Sequence, residues 1–99
     1  MAPANFADRL TLAVEATDTP CIVGLDPHPE ALPPEYAAAA DARRPRAERA
    51  RAVGDFLCEV IDVCAGRVPA VKPQSAFFEA LGADGAVQWE GDVGAARGA

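Results

Sequence analysis

The chain has 99 residues, 15 acidic and 9 basic side chains, a single histidine and a net charge of −6. That balance argues against a nucleic-acid partner, which asks for a basic patch to neutralise phosphates. No apolar run approaches the roughly 20 residues of a membrane span. A chain this long makes one small domain; it cannot make a complete barrel of about 250 residues.

The N-terminus, Met1-Ala-Pro-Ala-Asn-Phe-Ala-Asp, has no basic stretch ahead of an apolar core. It does not read as a secretory signal, and a cytoplasmic location is expected. Cys21, Cys58 and Cys64 have no metal-ligand spacing and read as small buried apolar residues.

Asn5 is placed to cap a helix from Phe6 to Ala16 whose apolar face carries Phe6, Leu10, Ala13 and Val14. Thr17-Asp18-Thr19-Pro20 breaks it. Cys21-Ile22-Val23-Gly24-Leu25 is a short continuous apolar run, expected as a strand buried on both faces in a parallel sheet. His28 to Tyr36 is proline-rich and reads as irregular, and 37–42 has helical character.

From Arg46 to Ala65 the helical pattern is strong. Val53, Phe56, Leu57, Val60, Ile61 and Cys64 form one stripe, Glu48, Arg49, Asp55 and Glu59 cover the other side, and Gly66 ends the helix. Val68 to Pro73 is a second strand candidate, with Pro69 tolerated near its start or on its edge. Ser75 is placed to cap a short helix carrying Phe77, Phe78 and Leu81, stopped by Gly82. Residues 83–99 hold Gly85, Gly91, Gly94 and Gly98 and few large apolar side chains; no helix or strand template fits, and a mostly disordered tail is expected. The order is that of one β-α-β unit with a helix in front, an α/β architecture with parallel strands.

Asp26 closes the first strand and Lys72, the one lysine in the sequence, closes the second. In a parallel sheet both emerge at the carboxyl-terminal edge, where α/β folds bind ligands, on strands about 4.8 Å apart. Asp-Pro is also a common turn starter, and a lone lysine at a strand end is commonly a solvated side chain. His28 reads as structural or exposed, Asp62 as a solvated charge, and Phe77 and Phe78 as core.

Three segments go further: Phe6-Ala7-Asp8-Arg9-Leu10, Val23-Gly24-Leu25-Asp26-Pro27, and the block Ala70-Val71-Lys72-Pro73-Gln74-Ser75-Ala76-Phe77-Phe78-Glu79-Ala80-Leu81-Gly82. In order and separation they resemble the orotidine 5′-phosphate decarboxylase family, in its mycobacterial and bacterial branch, over roughly residues 5 to 88. The resemblance implies the first two βα units of a TIM (β/α)8 barrel, incomplete in this chain. It implies cofactor-free conversion of orotidine 5′-phosphate to UMP and CO2 in pyrimidine biosynthesis, by an enzyme that is commonly a homodimer, with no metal. By the same resemblance, Asp26 stands where the family's ribose-binding aspartate ends the first strand. Lys72 stands where a lysine of the charged network contacts the ribose and orients the catalytic groups.

One departure bears on activity. The family's Asp-x-Lys-x-x-Asp motif, whose lysine donates the proton, is absent: Lys72 has Ala70 two residues before it. From about Trp89 the residues cease to resemble the family, as a frameshift, a mis-called stop or a truncation would produce. The division expected is therefore 1–88 as decarboxylase barrel and 89–99 as divergent tail, in a copy inactive by itself. The alternatives are a non-catalytic remnant or small binding module, and, more weakly, another sugar-phosphate enzyme on the same barrel.

Overall fold

The computed structural model describes residues 5–98; the first four residues of the segment read for a signal lie outside them. The first helix, α1, spans Phe6–Thr17. Asn5 caps it, its side-chain oxygen accepting the Asp8 N–H at 2.8 Å, which satisfies one of the free donors of the first turn. Asp18 closes it in the left-handed conformation, φ 55°, which short polar residues tolerate.

Strand β1 covers Val23–Leu25 and pairs in parallel with β2, Val71–Pro73, in the register Val23 to Val71, Gly24 to Lys72 and Leu25 to Pro73. The ladder is extended at both ends, by Val23 N–H to Ala70 C=O and by Gln74 N–H to Leu25 C=O, each at 3.3 Å. In a parallel ladder alternate residues bond alternate sides. Pro69 and Pro73 therefore fall on the side of β2 that faces away from β1, and their missing N–H groups cost this sheet nothing.

The expectation of a strand buried on both faces is corrected. Leu25 and Pro27 are buried, while Ile22, Gly24 and Asp26 are exposed. One face packs on helices; among the described residues nothing covers the other.

Between β1 and the next helix the chain forms two 3₁₀ segments, Pro29–Ala31 in the stretch read as irregular and Pro34–Ala40, which runs from that stretch into the one read as helical. Tyr36 ties the second to its neighbour by an edge-to-face contact with Phe56 at 5.5 Å. That neighbour is α2, Arg46–Cys64, which starts after Pro45 and ends before Gly66 at φ 74°. Its buried residues include Ala50, Val53, Leu57 and Ile61, the predicted stripe widened by alanine. Helix α3 is one turn, Ala76–Glu79, and Gly82 at φ 64° turns the chain into α4, Gly82–Gly98. Ser75 does not cap α3 with its side chain; its carbonyl accepts from Phe78 and Glu79 instead.

Helix α4 is the largest difference from the sequence reading, which found no helical template there. Its apolar contacts are few but well placed. Trp89 meets Phe78 edge-to-face at 5.2 Å, and the backbone comes close because Gly85 lies against the Phe78 carbonyl and Gly54 of α2 against Gln88. Glycine lowers helix propensity yet permits this approach, and here tertiary packing overrides the local preference.

The core, Leu25, Val53, Leu57, Ile61, Phe78 and Leu81 with several alanines, lies between α2, the 3₁₀ segments, α3 and α4. The radius of gyration is 15.0 Å, above the roughly 13 Å of a compact domain of this length. The excess is visible in α1, none of whose residues is buried; Phe6 is 69% and Leu12 61% exposed. Its apolar side lines an apolar groove of about 1010 Å³ shared with β2 and α4. Among the described residues no helix is long and apolar enough to cross a membrane.

Candidate functional site

A parallel pair presents every second residue to one side. Gly24 and Asp26 of the first strand and its extension therefore share a face with Lys72 and Gln74 of the second. That face lines a cavity of about 340 Å³ bounded by Gly24, Asp26, His28, Lys72, Gln74 and Phe77. The sequence expectation that Asp26 and Lys72 meet in one pocket holds as geometry, with a correction of one residue. Lys72 is the middle residue of β2, opposite Gly24, and Pro73 ends the strand. Asp26 is therefore one step further along the face than Lys72, level with Gln74 if the register continues.

Gly24 sets the floor. A methyl group there would stand 3.3 Å from Asp26 Oδ2, so the carboxylate lies back over the glycine, toward the side on which Lys72 emerges. The two groups make no direct ion pair. The pairs present among the described residues are Arg43 with Asp41 and Arg44 with Asp41 and Glu48. A carboxylate and an ammonium thus share a cavity, exposed and uncommitted to each other. Such a pair can accept and donate hydrogen bonds to one polyhydroxylated ligand.

Four further residues of the cavity, Gly24, His28, Gln74 and Phe77, were not singled out as site residues by the sequence. Phe77, read as core, is half-buried and meets His28 edge-to-face, ring centroids 4.7 Å apart at 78°; Phe78 is the core residue of the two, 2% exposed. Gln74 and Gly24 were legible only through the alternation 24, 26, 28 against 72, 74. The three cysteines are free, and none is buried as expected: Cys21 is exposed and Cys58 and Cys64 are half-buried. Cys58 donates to Asp92 at 3.4 Å, away from this cavity. Among the described residues no group of three or more His, Cys, Asp or Glu is arranged to hold a metal ion.

No family model matches the chain, and no solved structure matches it. Curated relatives do. The orotidine 5′-phosphate decarboxylase of Rhodopirellula baltica is 45% identical over 83 residues, 84% of this chain and 27% of the relative. That of Verminephrobacter eiseniae is 38% identical over 80 residues, 81% of this chain and 26% of the relative. That of Salinispora arenicola is 36% identical over 89 residues, 90% of this chain and 28% of the relative. The chain spans about a quarter of the length of the relatives it matches, and over that span it is similar in sequence to these orotidine 5′-phosphate decarboxylases.

Proposed function

We propose that these residues are the part of an orotidine 5′-phosphate decarboxylase that carries the first two βα units of its (β/α)8 barrel and half of its ribose site. The observation that carries this reading is the pairing of Asp26 and Lys72 on one face of two parallel strands, at the edge where barrels bind their ligands. The uncovered polar face of the sheet fits the same reading, because in a closed barrel it would line the interior. Orotidine 5′-phosphate as substrate, a homodimer for the whole enzyme and a cytoplasmic location go with this reading.

In the proposed site the Asp26 carboxylate accepts hydrogen bonds from ribose hydroxyls, and the Lys72 ammonium donates to a ribose oxygen and holds neighbouring carboxylates in place. Loss of CO2 leaves a carbanion on the pyrimidine ring. A preorganised cation stabilises that charge where water is excluded and then delivers a proton. Remote contacts such as those of Asp26 supply binding energy that positions the ring for this step.

The 99 residues do not contain the proton donor. Their one lysine is Lys72, and no Asp-x-Lys-x-x-Asp segment is present. On their own they are expected to bind weakly and not to decarboxylate.

The test is a chimera in which the matched stretch of the Rhodopirellula baltica relative is replaced by the corresponding 83 residues of this chain. The chimera is expected to decarboxylate, and to lose about 100-fold or more in kcat/KM on Asp26→Ala or Lys72→Ala, as removal of a charged contact of about 3 kcal/mol would give. A folded chimera indifferent to both substitutions would reject the reading. Decarboxylation by the pure 99-residue chain, lost on Lys72→Ala, would overturn the expectation that the chain is inactive on its own.

A further inference from the structure

We infer that His28 is a third ligand-contacting residue of this site, its imidazole hydrogen-bonding a hydroxyl of the ribose that Asp26 and Lys72 hold. The inference rests on the ribose reading of the cavity and adds a residue to it.

The backbone brings the ring there. His28 follows Asp26 by two residues, and between them Pro27 is fully buried, so the chain is anchored on the core side while both polar side chains emerge on the other. Both line the same cavity. The ring is then held by packing alone: Phe77, from the helix that follows β2, meets it edge-to-face at 4.7 Å. An aromatic contact of this kind favours a defined ring placement.

No side-chain hydrogen bond within the protein engages the ring. Among the described residues the side-chain bonds lie at the α1 cap, the threonines, Asp41, Arg43, Arg44 and the Cys58–Asp92 pair. An exposed imidazole oriented by an aromatic neighbour, with both nitrogens uncommitted and a carboxylate, an ammonium and an amide around the same cavity, is arranged for a ligand. Both nitrogens are open to solvent on the cavity side and so free to bond a ligand that displaces it.

The chain has one histidine, so its reaction with diethyl pyrocarbonate reports a single ring. In dilute 99-residue chain, saturating uridine 5′-monophosphate is expected to slow that modification about tenfold, and His28→Ala to weaken nucleotide binding about tenfold, the effect of one hydrogen bond. His28→Asn, which keeps a donor, is expected to recover part of the loss. Nucleotide binding that needs Asp26 and Lys72 but is unchanged in His28→Ala, with no protection of the ring, overturns the inference and leaves the ribose reading standing. Binding that ignores Asp26 and Lys72, or no binding at any attainable concentration, removes the ribose reading and this inference with it.

Discussion

Cys58 of α2 and Asp92 of α4 face each other across the contact between the two long helices, the thiol donating to Asp92 Oδ1 at 3.4 Å. Asp92 is 5% exposed, and its second oxygen has no partner in the protein. Burial pushes its carboxyl up to about 6, with the charge of Asp55 adding to the effect and the Cys58 bond opposing it. Burial also pushes the Cys58 thiol up to about 11, with Asp92 adding.

The sign of the pH dependence follows from the raised carboxyl. Unfolded, Asp92 ionises near its ordinary 3.8; folded, near 6. The stability it contributes is complete below about pH 3.8 and is lost as pH rises through about 6, because only the folded state must bury the charge. Asp92→Asn is therefore expected to stabilise the chain at pH 7 by about 1–3 kcal/mol and to flatten the fall in stability across that window. Urea unfolding followed by Trp89 fluorescence at a series of pH values measures it. Equal stabilities of parent and variant at pH 7 would contradict it.

The glycines of α4 divide by what surrounds them. Gly91 and Gly94 have open space where a side chain would go, whereas Gly85 lies against the Phe78 carbonyl. Gly91→Ala and Gly94→Ala should each stabilise by about 0.5–1 kcal/mol, since alanine removes backbone freedom from the unfolded chain. Gly85→Ala should destabilise by about 1–3 kcal/mol, because backbone must move to admit a methyl group. Gly54→Ala on α2 should cost less than Gly85→Ala, its obstruction being the end of the flexible Gln88 side chain. Helicity and urea midpoints of the four variants give the order; a uniform response at Gly85, Gly91 and Gly94 would show that α4 does not pack as described.

Asp26 and Lys72 are exposed and make no ion pair with each other, so neither has a structural task in the isolated chain. Asp26→Ala and Lys72→Ala are each expected to change its stability by no more than about 0.5 kcal/mol. A loss well above 1 kcal/mol by thermal or urea unfolding would assign them a folding role instead.

What could be read from the sequence follows the strength of local signals. The α2 stripe, the Asn5 cap and the Gly66 stop are set by contacts within a few residues, and each lies where the pattern puts it. The two strands were also legible, because an apolar run between prolines admits few other structures. What local signals do not carry is which face a neighbour covers. Ile22 and Gly24 read as buried because their run is apolar, and they are exposed because no layer packs on their side. Residues 82–98 failed as a pattern for the converse reason: glycine at 85, an obstacle to local helix preference, is what lets α4 lie against the Phe78 backbone of α3. The site was half legible. Asp26 and Lys72 stood out as charges interrupting apolar runs, whereas Gln74 and His28 required the pairing register.

The same uncovered sheet predicts how the chain behaves in solution. Because alternate residues bond alternate sides, the free edge of β1 offers the N–H groups of Ile22, Gly24 and Asp26. The free edge of β2 offers that of Val71 between two prolines. An edge with unpaired donors and an exposed apolar side chain is a template for another strand, and Ile22 is 52% exposed. The chain is therefore expected to self-associate as its concentration rises, through β1 in preference to β2. Ile22→Lys, which places a charge on that edge without touching the core, should suppress association while leaving stability within about 0.5 kcal/mol. Sedimentation velocity over a range of concentrations reads this directly. A monodisperse monomer at all of them, or association unchanged by Ile22→Lys, would mean that the β1 edge is not the contact.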